Sequence, residues 1–169
     1  MAYSTIPKTR RDGTIVLTAG ASLTVSYENG DFSYDSPGGG DSFNDQLVIR
    51  DRTQICTIRK SDEQPITGSF SFYFRDFTDS EVGGVRDFIT KQNAYSGNTS
   101  TGSAGVPFVE HYCVDITFEV DSSLDGLTSA NSKAVFSKCV CTFSMSEGDP
   151  NSYNLSWTSY GGVTYTQAS

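Results

Sequence analysis

The chemistry open to this sequence is limited by its single histidine, His111. A Ser-His-Asp site needs a histidine oriented by a carboxylate, and Asp115, four residues further along the same predicted strand, lies out of hydrogen-bond reach. A zinc site at His111 and Cys113 would need further ligands, and Cys139 and Cys141 lack the Cys-x-x-Cys spacing of zinc knuckles. We therefore expect no catalytic residue, no metal and no cofactor. All four cysteines are expected to act as small buried apolar residues.

Hydroxyl and acidic side chains instead occupy every second position of three predicted strands. Apolar and polar residues that alternate with a period of two predict a strand with one buried face. The polar members of these alternations are Thr24 and Ser26, then Thr67, Ser69 and Ser71, then Asp115, Thr117 and Glu119. Solvent-facing strand positions usually include Lys, and its scarcity here indicates a smooth surface that a polyanion passes without binding.

The charge of the chain argues against tight nucleic-acid binding. The sequence has 12 Lys and Arg against 20 Asp and Glu, for a net charge of -8, whereas a DNA-binding surface neutralises phosphates with basic residues. Lys8, Arg10 and Arg11 lie in a predicted N-terminal arm, residues 1–12, that is either solvated or docked on an acidic neighbouring subunit. The sequence has no signal-peptide pattern and no apolar run of membrane-spanning length. We expect no membrane anchor and a cytoplasmic protein, unless a larger assembly carries it elsewhere.

The composition favours an all-β protein with many turns, because Gly, Ser and Thr take the place of charged residues. A chain of 169 residues fits one domain, which we expect at residues 13–169. Strands are predicted at 13–18, 22–28, 46–51, 53–60, 66–75, 112–120, 134–146, 153–160 and 163–165. The poor turn propensity of Asp51 and Arg52 leaves open that 46–60 is one bent strand. The clearest strand, 66–75, places three phenylalanines on one face and predicts a core there.

One helix is predicted at Asp79–Lys91. Thr78 to Glu81 forms a capping box, and apolar residues then recur at helical spacing. Gly83 and Gly84 weaken this helix by about 1 kcal/mol each.

Two segments rich in Gly and Ser, 31–45 and 92–110, are predicted to be long loops. The first is expected to reach another molecule. It lacks the lysine and the following helix of a phosphate-binding loop. The contact residues expected near its tip are Asp35, Ser36, Pro37, Gly38, Gly39, Gly40 and Asp41.

The order of several stretches adds a further indication: Asp12–Leu17 with Leu23–Phe32, then Pro65–Phe72 with Phe77–Asp79, then Ser146–Asn151. They resemble the opening strands, the middle strand with its single helix, and the closing turn of the tail tube proteins (major tail proteins) of long-tailed bacteriophages. The resemblance implies two packed antiparallel sheets, a β-sandwich or barrel, flanked by one α-helix. It also implies hexameric rings stacked into a tube, through which the tape measure protein and then DNA pass. Loop 31–45 would reach the next ring, and the protein, made in the bacterial cytoplasm, would reside in the virion tail.

The polar alternations and the resemblance lead to one hypothesis about the tube wall. The residues predicted to face the lumen are Thr67, Ser69, Ser71, Asp115, Thr117 and Glu119. The simpler alternative is that this polar face only meets bulk water.

Other functions remain open at this point. A carbohydrate-binding sandwich would use a stacking platform of Tyr153, Trp157, Tyr160 and Tyr165. Another ring component, such as a tail terminator, a baseplate hub or the tube of a contractile injection machine, would share the fold. A hydrolase is the least supported class, because no nucleophile is positioned.

Overall fold

The computed structural model describes residues 13–25, 31–36, 44–73, 82–102, 111–120, 132–149 and 151–167. Within these ranges the chain is mainly β, with one α-helix and one short 3-10 helix, Asn93–Tyr95. The elements are β1 Gly13–Ala19, β2 Ala21–Val25, β3 Ser33–Asp35, β4 Asn44–Asp51, β5 Gln54–Glu63, β6 Ile66–Tyr73, α1 Val82–Thr90, β7 Val114–Val120, β8 Ser132–Ser146, β9 Ser152–Ser159 and β10 Val163–Gln167.

The described strands form two antiparallel sheets. The large sheet has eight strands in the order β2-β1-β7-β8-β9-β6-β3, and β10 also pairs with β8. β9 and β10 pair with successive halves of the long strand β8, on either side of a break at Gly161 and Gly162. The second sheet is the hairpin of β4 and β5. The expected class, mainly β with two antiparallel sheets and one α-helix, is confirmed, and the large sheet does not close into a barrel.

One face of the large sheet carries the core. Burying one large apolar side chain stabilises the fold by about 1.5–3 kcal/mol. Phe32 stacks on Phe118 with ring centroids 4.5 Å apart, and Phe136 lies 4.5 Å from Trp157. The fully buried residues of this face include Ile15, Leu17, Ile66, Phe70, Ile116, Phe136 and Leu155.

The helix α1 packs on the same apolar side through Val85 and Phe88, which are buried. It ends after Thr90 because Lys91 adopts the left-handed conformation (φ 55°) common just past helix ends. The predicted helix is therefore present, and its proposed capping box lies outside the described residues.

Gly68 on β6 shows how tightly the core is packed. A Cβ atom at this position would lie 2.2 Å from Cζ2 of Trp157 and 2.6 Å from the main-chain oxygen of Ser33. Only glycine lets the indole ring cover the strand at this point.

The two strands predicted at 46–51 and 53–60 are present as β4 and β5, whereas the alternative of one bent strand over 46–60 was wrong, since the two strands form a hairpin. Its two turn residues, Arg52 and Thr53, both have positive φ (44° and 76°). Two-residue hairpin turns require this conformation and usually obtain it from Asn-Gly or Asp-Gly. The sequence lacks those residues, so the turn carried no recognisable signal.

The predicted loop 31–45 was partly wrong. Ser33–Asp35 forms the edge strand β3 against β6, and Asn44 already belongs to β4. Residues 37–43 lie outside the described part of the chain.

Candidate functional site: the hydroxyl face of the large sheet

The face of the large sheet opposite the core is covered mostly by Ser and Thr side chains. We call it the hydroxyl face, and its members follow from strand alternation and the pairing register. They include Thr14, Val16, Thr18, Ser22, Thr24, Ser33, Asp35, Thr67, Ser69, Ser71, Asp115, Thr117, Glu119, Lys133, Val135, Val140, Thr142, Ser144, Asn154, Ser156, Thr158, Thr164 and Thr166.

The register aligns these side chains in rows that cross the sheet. Thr142 on β8 is opposite Ser156 on β9, Ser156 is opposite Ser69 on β6, and Ser69 is opposite Ser33 on β3. The Ser33 and Ser69 hydroxyl oxygens are 3.4 Å apart. Thr142 donates to the main-chain oxygen of Ser156 at 3.2 Å. These short side chains therefore bond to neighbouring strands and keep a low profile above the sheet.

The structure brings the two predicted groups of residues onto this one face. Thr67, Ser69 and Ser71 come from β6, and Asp115, Thr117 and Glu119 come from β7, with β8 and β9 between them. The hydroxyl rows on β8 and β9 were not assigned to this face from the sequence. Their alternation was visible, but the pairing that joins them to β6 and β7 was not.

Among the described residues, the hydroxyl face has few charges: the acids Asp35, Asp115 and Glu119 against the single lysine Lys133. Lys133 Nζ lies 3.1 Å from a carboxylate oxygen of Glu119, directly across from it in the register. No arginine is among the described residues assigned to this face. A phosphate chain would thus meet hydroxyls and a lysine that already has an acidic partner.

Asp115 has a structural partner that the sequence did not suggest. Its Oδ1 accepts a hydrogen bond from the main-chain N–H of Lys138 at 2.9 Å. Lys138 has φ 54° and lies in a β-bulge of β8. The same bulge is held from the other side by Ser159, whose hydroxyl donates to the main-chain oxygen of Ser137 at 2.7 Å. Asp115 therefore stabilises the bend of β8 as well as contributing charge to the face.

Asp31 was likewise missed by sequence reasoning. Both of its carboxylate oxygens accept the main-chain N–H of Ser71 at 3.1 Å, and the Ser71 hydroxyl also donates to the carboxylate. The carboxylate thus replaces a main-chain acceptor where the short strand β3 no longer covers β6. The signal that could have revealed it is an Asp just before a short edge strand.

The hydroxyl face is hollow where β3, β6, β9 and β8 lie side by side. A shallow open depression of about 550 Å³ lies there. Its polar lining includes Ser33, Asp35, Thr67, Ser69, Thr142, Ser156 and Thr158. Tyr34, Val140, Trp157 and Tyr160 also line it, so the surface is concave and of mixed polarity, and its described lining lacks the grouped ionisable side chains of an active site.

The remaining predicted contact residues fall largely outside the described part of the chain. Asp35 lies in β3, and half-buried Ser36 follows it. Residues 37–41 of the loop and the basic residues Lys8, Arg10 and Arg11 are not within the described ranges.

The proposed sugar-stacking platform was wrong, because two of its aromatic residues belong to the core. Trp157 and Tyr153 are buried, whereas Tyr160 and Tyr165 are exposed. The Tyr165 hydroxyl lies 2.7 Å from that of Tyr34. Partial burial, then the bond to Tyr34, raise the pKa of Tyr165 to about 12.

The cysteines were predicted to be buried, and this was wrong for Cys56, which is exposed on the hairpin. Cys113 and Cys139 are buried. Burial raises the pKa of Cys139 to about 12 and also raises the pKa of Cys141. Within the described ranges no three His, Cys, Asp or Glu side chains are grouped as metal ligands.

No helix in the described part of the chain is both long and apolar enough to span a membrane.

Solved structures of contractile injection machines contain chains with a similar fold. One belongs to the sheath–tube complex of the extracellular contractile injection system PVC in its extended state (TM-score 0.58, 12% identity, covering 98% of this chain and 93% of that chain). Another comes from the sheath/tube terminator of the same system (TM-score 0.57, 12% identity, 98% and 99% covered). A third comes from the baseplate of the anti-feeding prophage (TM-score 0.57, 7% identity, 96% and 97% covered).

These similarities establish a fold like that of chains in tail-like structural assemblies. No protein-family model matches the sequence. No curated protein matches it either.

Proposed function

We propose that this protein is a tube subunit of a phage tail or tail-like particle. Copies assemble into rings, expected to be hexameric, and the rings stack into a tube. The hydroxyl face lines the lumen, and in a phage the tape measure protein and then DNA pass through it. The protein is then a structural component of the virion tail, without catalytic activity.

The observation that carries this proposal is the contrast between the two faces of the large sheet. One face is a buried apolar core rich in aromatic rings, and the other presents hydroxyls over four neighbouring strands. A conduit for a polyanion must not hold it, and nucleic-acid affinity rises with the number of basic residues that meet phosphates. A concave surface with hydroxyls and neither lysine nor arginine in its described lining suits transport without binding.

The edges of the large sheet support ring assembly. Among the strands that the structure describes, the sheet ends at β2 on one side and at the three-residue strand β3 on the other. Edge strands offer unpaired main-chain groups to another chain. Joining such edges around a ring would continue the sheet from subunit to subunit and keep the hydroxyl face on the inside.

A second candidate places the chain in a contractile injection system, either as its tube subunit or as its tube terminator. The structural similarities favour it, because the matched chains come from a sheath–tube complex and a sheath/tube terminator. The two roles differ in assembly. A tube subunit adds ring upon ring, whereas a terminator stops at a single ring.

The first test is the assembly state of the purified full-length protein. We expect sedimentation that shifts to large particles as concentration rises, and negative-stain images of open-ended tubes of uniform width. Single rings that do not grow would favour the terminator. A protein that stays monomeric at the highest accessible concentration would contradict both roles.

A further inference from the structure

Strand β6 is longer than the edge strand that lies beside it. β6 runs from Ile66 to Tyr73 and pairs along its whole length with β9 on one side. On the other side β3 pairs with Thr67, Gly68 and Ser69. Among the described strands, the pairing with β3 therefore stops at Ser69, and residues 70–73 of β6 extend past it.

The sequence of β6 has the composition of a self-pairing segment. Ile66–Tyr73 reads ITGSFSFY, with no charged residue, no proline and a single glycine. Short uncharged segments of high β propensity form strand pairs between molecules when their edge is exposed. Native proteins protect such edges, commonly with a charged side chain. β6 is therefore a strand whose edge needs protection.

The Asp31 carboxylate lies at this part of the edge. Continued by two residues, the register of β3 and β6 places Asp31 opposite Ser71. The side chain makes the contact there: Oδ1 and Oδ2 each lie 3.1 Å from the main-chain nitrogen of Ser71, and the Ser71 hydroxyl also donates to the carboxylate. The N–H that an added strand would use is thus already bonded to a negatively charged group.

The residues that follow Asp31 hold it in this position. The ring of Phe32 stacks on Phe118 in the core, with centroids 4.5 Å apart. The Ser33 hydroxyl donates to the main-chain oxygen of Ser69 at 3.5 Å. An incoming strand therefore cannot displace the carboxylate without disturbing these contacts.

We propose that Asp31 prevents a second copy of this chain from adding its own β6 to this edge. The carboxylate occupies the Ser71 N–H that the added strand would need. Such a pair would also bring two Asp31 side chains together, and like charges across a strand pair are destabilising. The net charge of -8 on each copy adds to this repulsion. The inference goes beyond the proposed function and does not rest on it, because Asp31 restricts which edges can join in whatever particle the copies build.

Cross-linking between engineered cysteines reports this pairing directly. The parent protein for the test is the full-length chain with Tyr73→Cys at the end of β6 and Cys56→Ser, which removes the exposed native thiol. Paired strands lie about 4.8 Å apart. A short bis-maleimide therefore joins two of the engineered thiols when two β6 edges lie side by side, and the covalent dimer is measured on a denaturing gel.

The variants separate the role of the acceptor from a loss of stability. Asp31→Ala should give several times more cross-linked dimer than the parent protein at the same concentration. Asp31→Asn keeps an acceptor oxygen for the Ser71 N–H and should stay near the parent. Ile15→Val is the stability control, because it removes one buried methyl group on β1, with three strands between it and β6. This control should give no extra dimer.

Three results would overturn the inference. Equal cross-linking in Asp31→Ala and the parent protein would show that the edge does not depend on Asp31. If Ile15→Val matches Asp31→Ala, lost stability alone explains the dimer. If Asp31→Asn matches Asp31→Ala, an acceptor oxygen does not protect the edge. Failure of the tube role shows separately, as a wild-type protein that never forms rings, and the cross-link still decides this inference.

Discussion

Replacing Gly68 by alanine tests the packing on which the large sheet depends. The added Cβ would lie 2.2 Å from Cζ2 and 2.6 Å from Cε2 of Trp157, and 2.6 Å from the main-chain oxygen of Ser33. The obstacle on one side is backbone and on the other a buried ring, so neither can move away at low cost. Overpacking of a core costs about 1–3 kcal/mol, and loss of a buried Trp side chain costs about 3–5 kcal/mol. Because the indole must be partly displaced, we expect Gly68→Ala to lower the free energy of unfolding by about 2–4 kcal/mol.

The chain offers a matched control and a single optical probe for this experiment. A Cβ at Gly97 would meet nothing within 4 Å, so Gly97→Ala should change stability by less than about 0.5 kcal/mol. Trp157 is the only tryptophan, so its fluorescence during urea unfolding reports directly on the disturbed site. In a Trp157→Phe background, followed by circular dichroism, the penalty of Gly68→Ala should shrink, because the smaller ring leaves room for the methyl group. Equal stabilities of the Gly68→Ala and Gly97→Ala proteins would refute the predicted packing.

Three further predictions concern other contacts. Asp31→Ala removes the acceptor of the Ser71 N–H and should lower the free energy of unfolding by about 1 kcal/mol. Urea titration measures this loss, with Asp149→Ala as the control. An unchanged unfolding midpoint in Asp31→Ala would contradict the role of Asp31 as this acceptor. The pKa of Tyr165 is raised in the fold to about 12 from its ordinary 10.0, so the stabilisation it provides is complete below pH 10 and declines as pH rises from 10 towards 12. Thermal melts should show a smaller loss over this range in Tyr165→Phe than in wild type, and identical losses would argue against the Tyr34–Tyr165 bond. In assembled particles, Thr142→Arg with Ser156→Arg should create salt-sensitive binding of a labelled DNA duplex. The control pair, Thr142→Gln with Ser156→Gln, should not bind the duplex. If the particles with the two arginines bind no DNA, this face is not open to a polyanion.

The parts of the fold that could be predicted are those with strong local periodicity. The alternation around Phe70 and Phe72 identified β6, and the apolar spacing around Val85 and Phe88 identified α1. The hairpin turn was missed because Arg52 and Thr53 adopt positive φ without the residues that normally announce it. The edge strand β3 was missed because three residues are too few to show a period.

The candidate site was predictable one strand at a time but not as a surface. Thr67, Ser69 and Asp115 were recognised from their own alternations, whereas their union with Thr142 and Ser156 depends on the pairing of β8 and β9. Such pairing is a non-local property that one sequence does not display. The role of Asp31 escaped notice because its partner, Ser71, is distant in sequence. The exposure of Cys56 escaped notice because it depends on which elements pack against the hairpin, and that is also a non-local property.

The most direct test of the central claim is a cryo-electron microscopy reconstruction of the particles formed by the full-length protein. The account predicts stacked rings whose inner wall is built from the large sheet, with Thr142, Ser156 and Ser69 facing the axis. A reconstruction with the hydroxyl face on the outer wall, or with a bore lined by arginine and lysine, would contradict it.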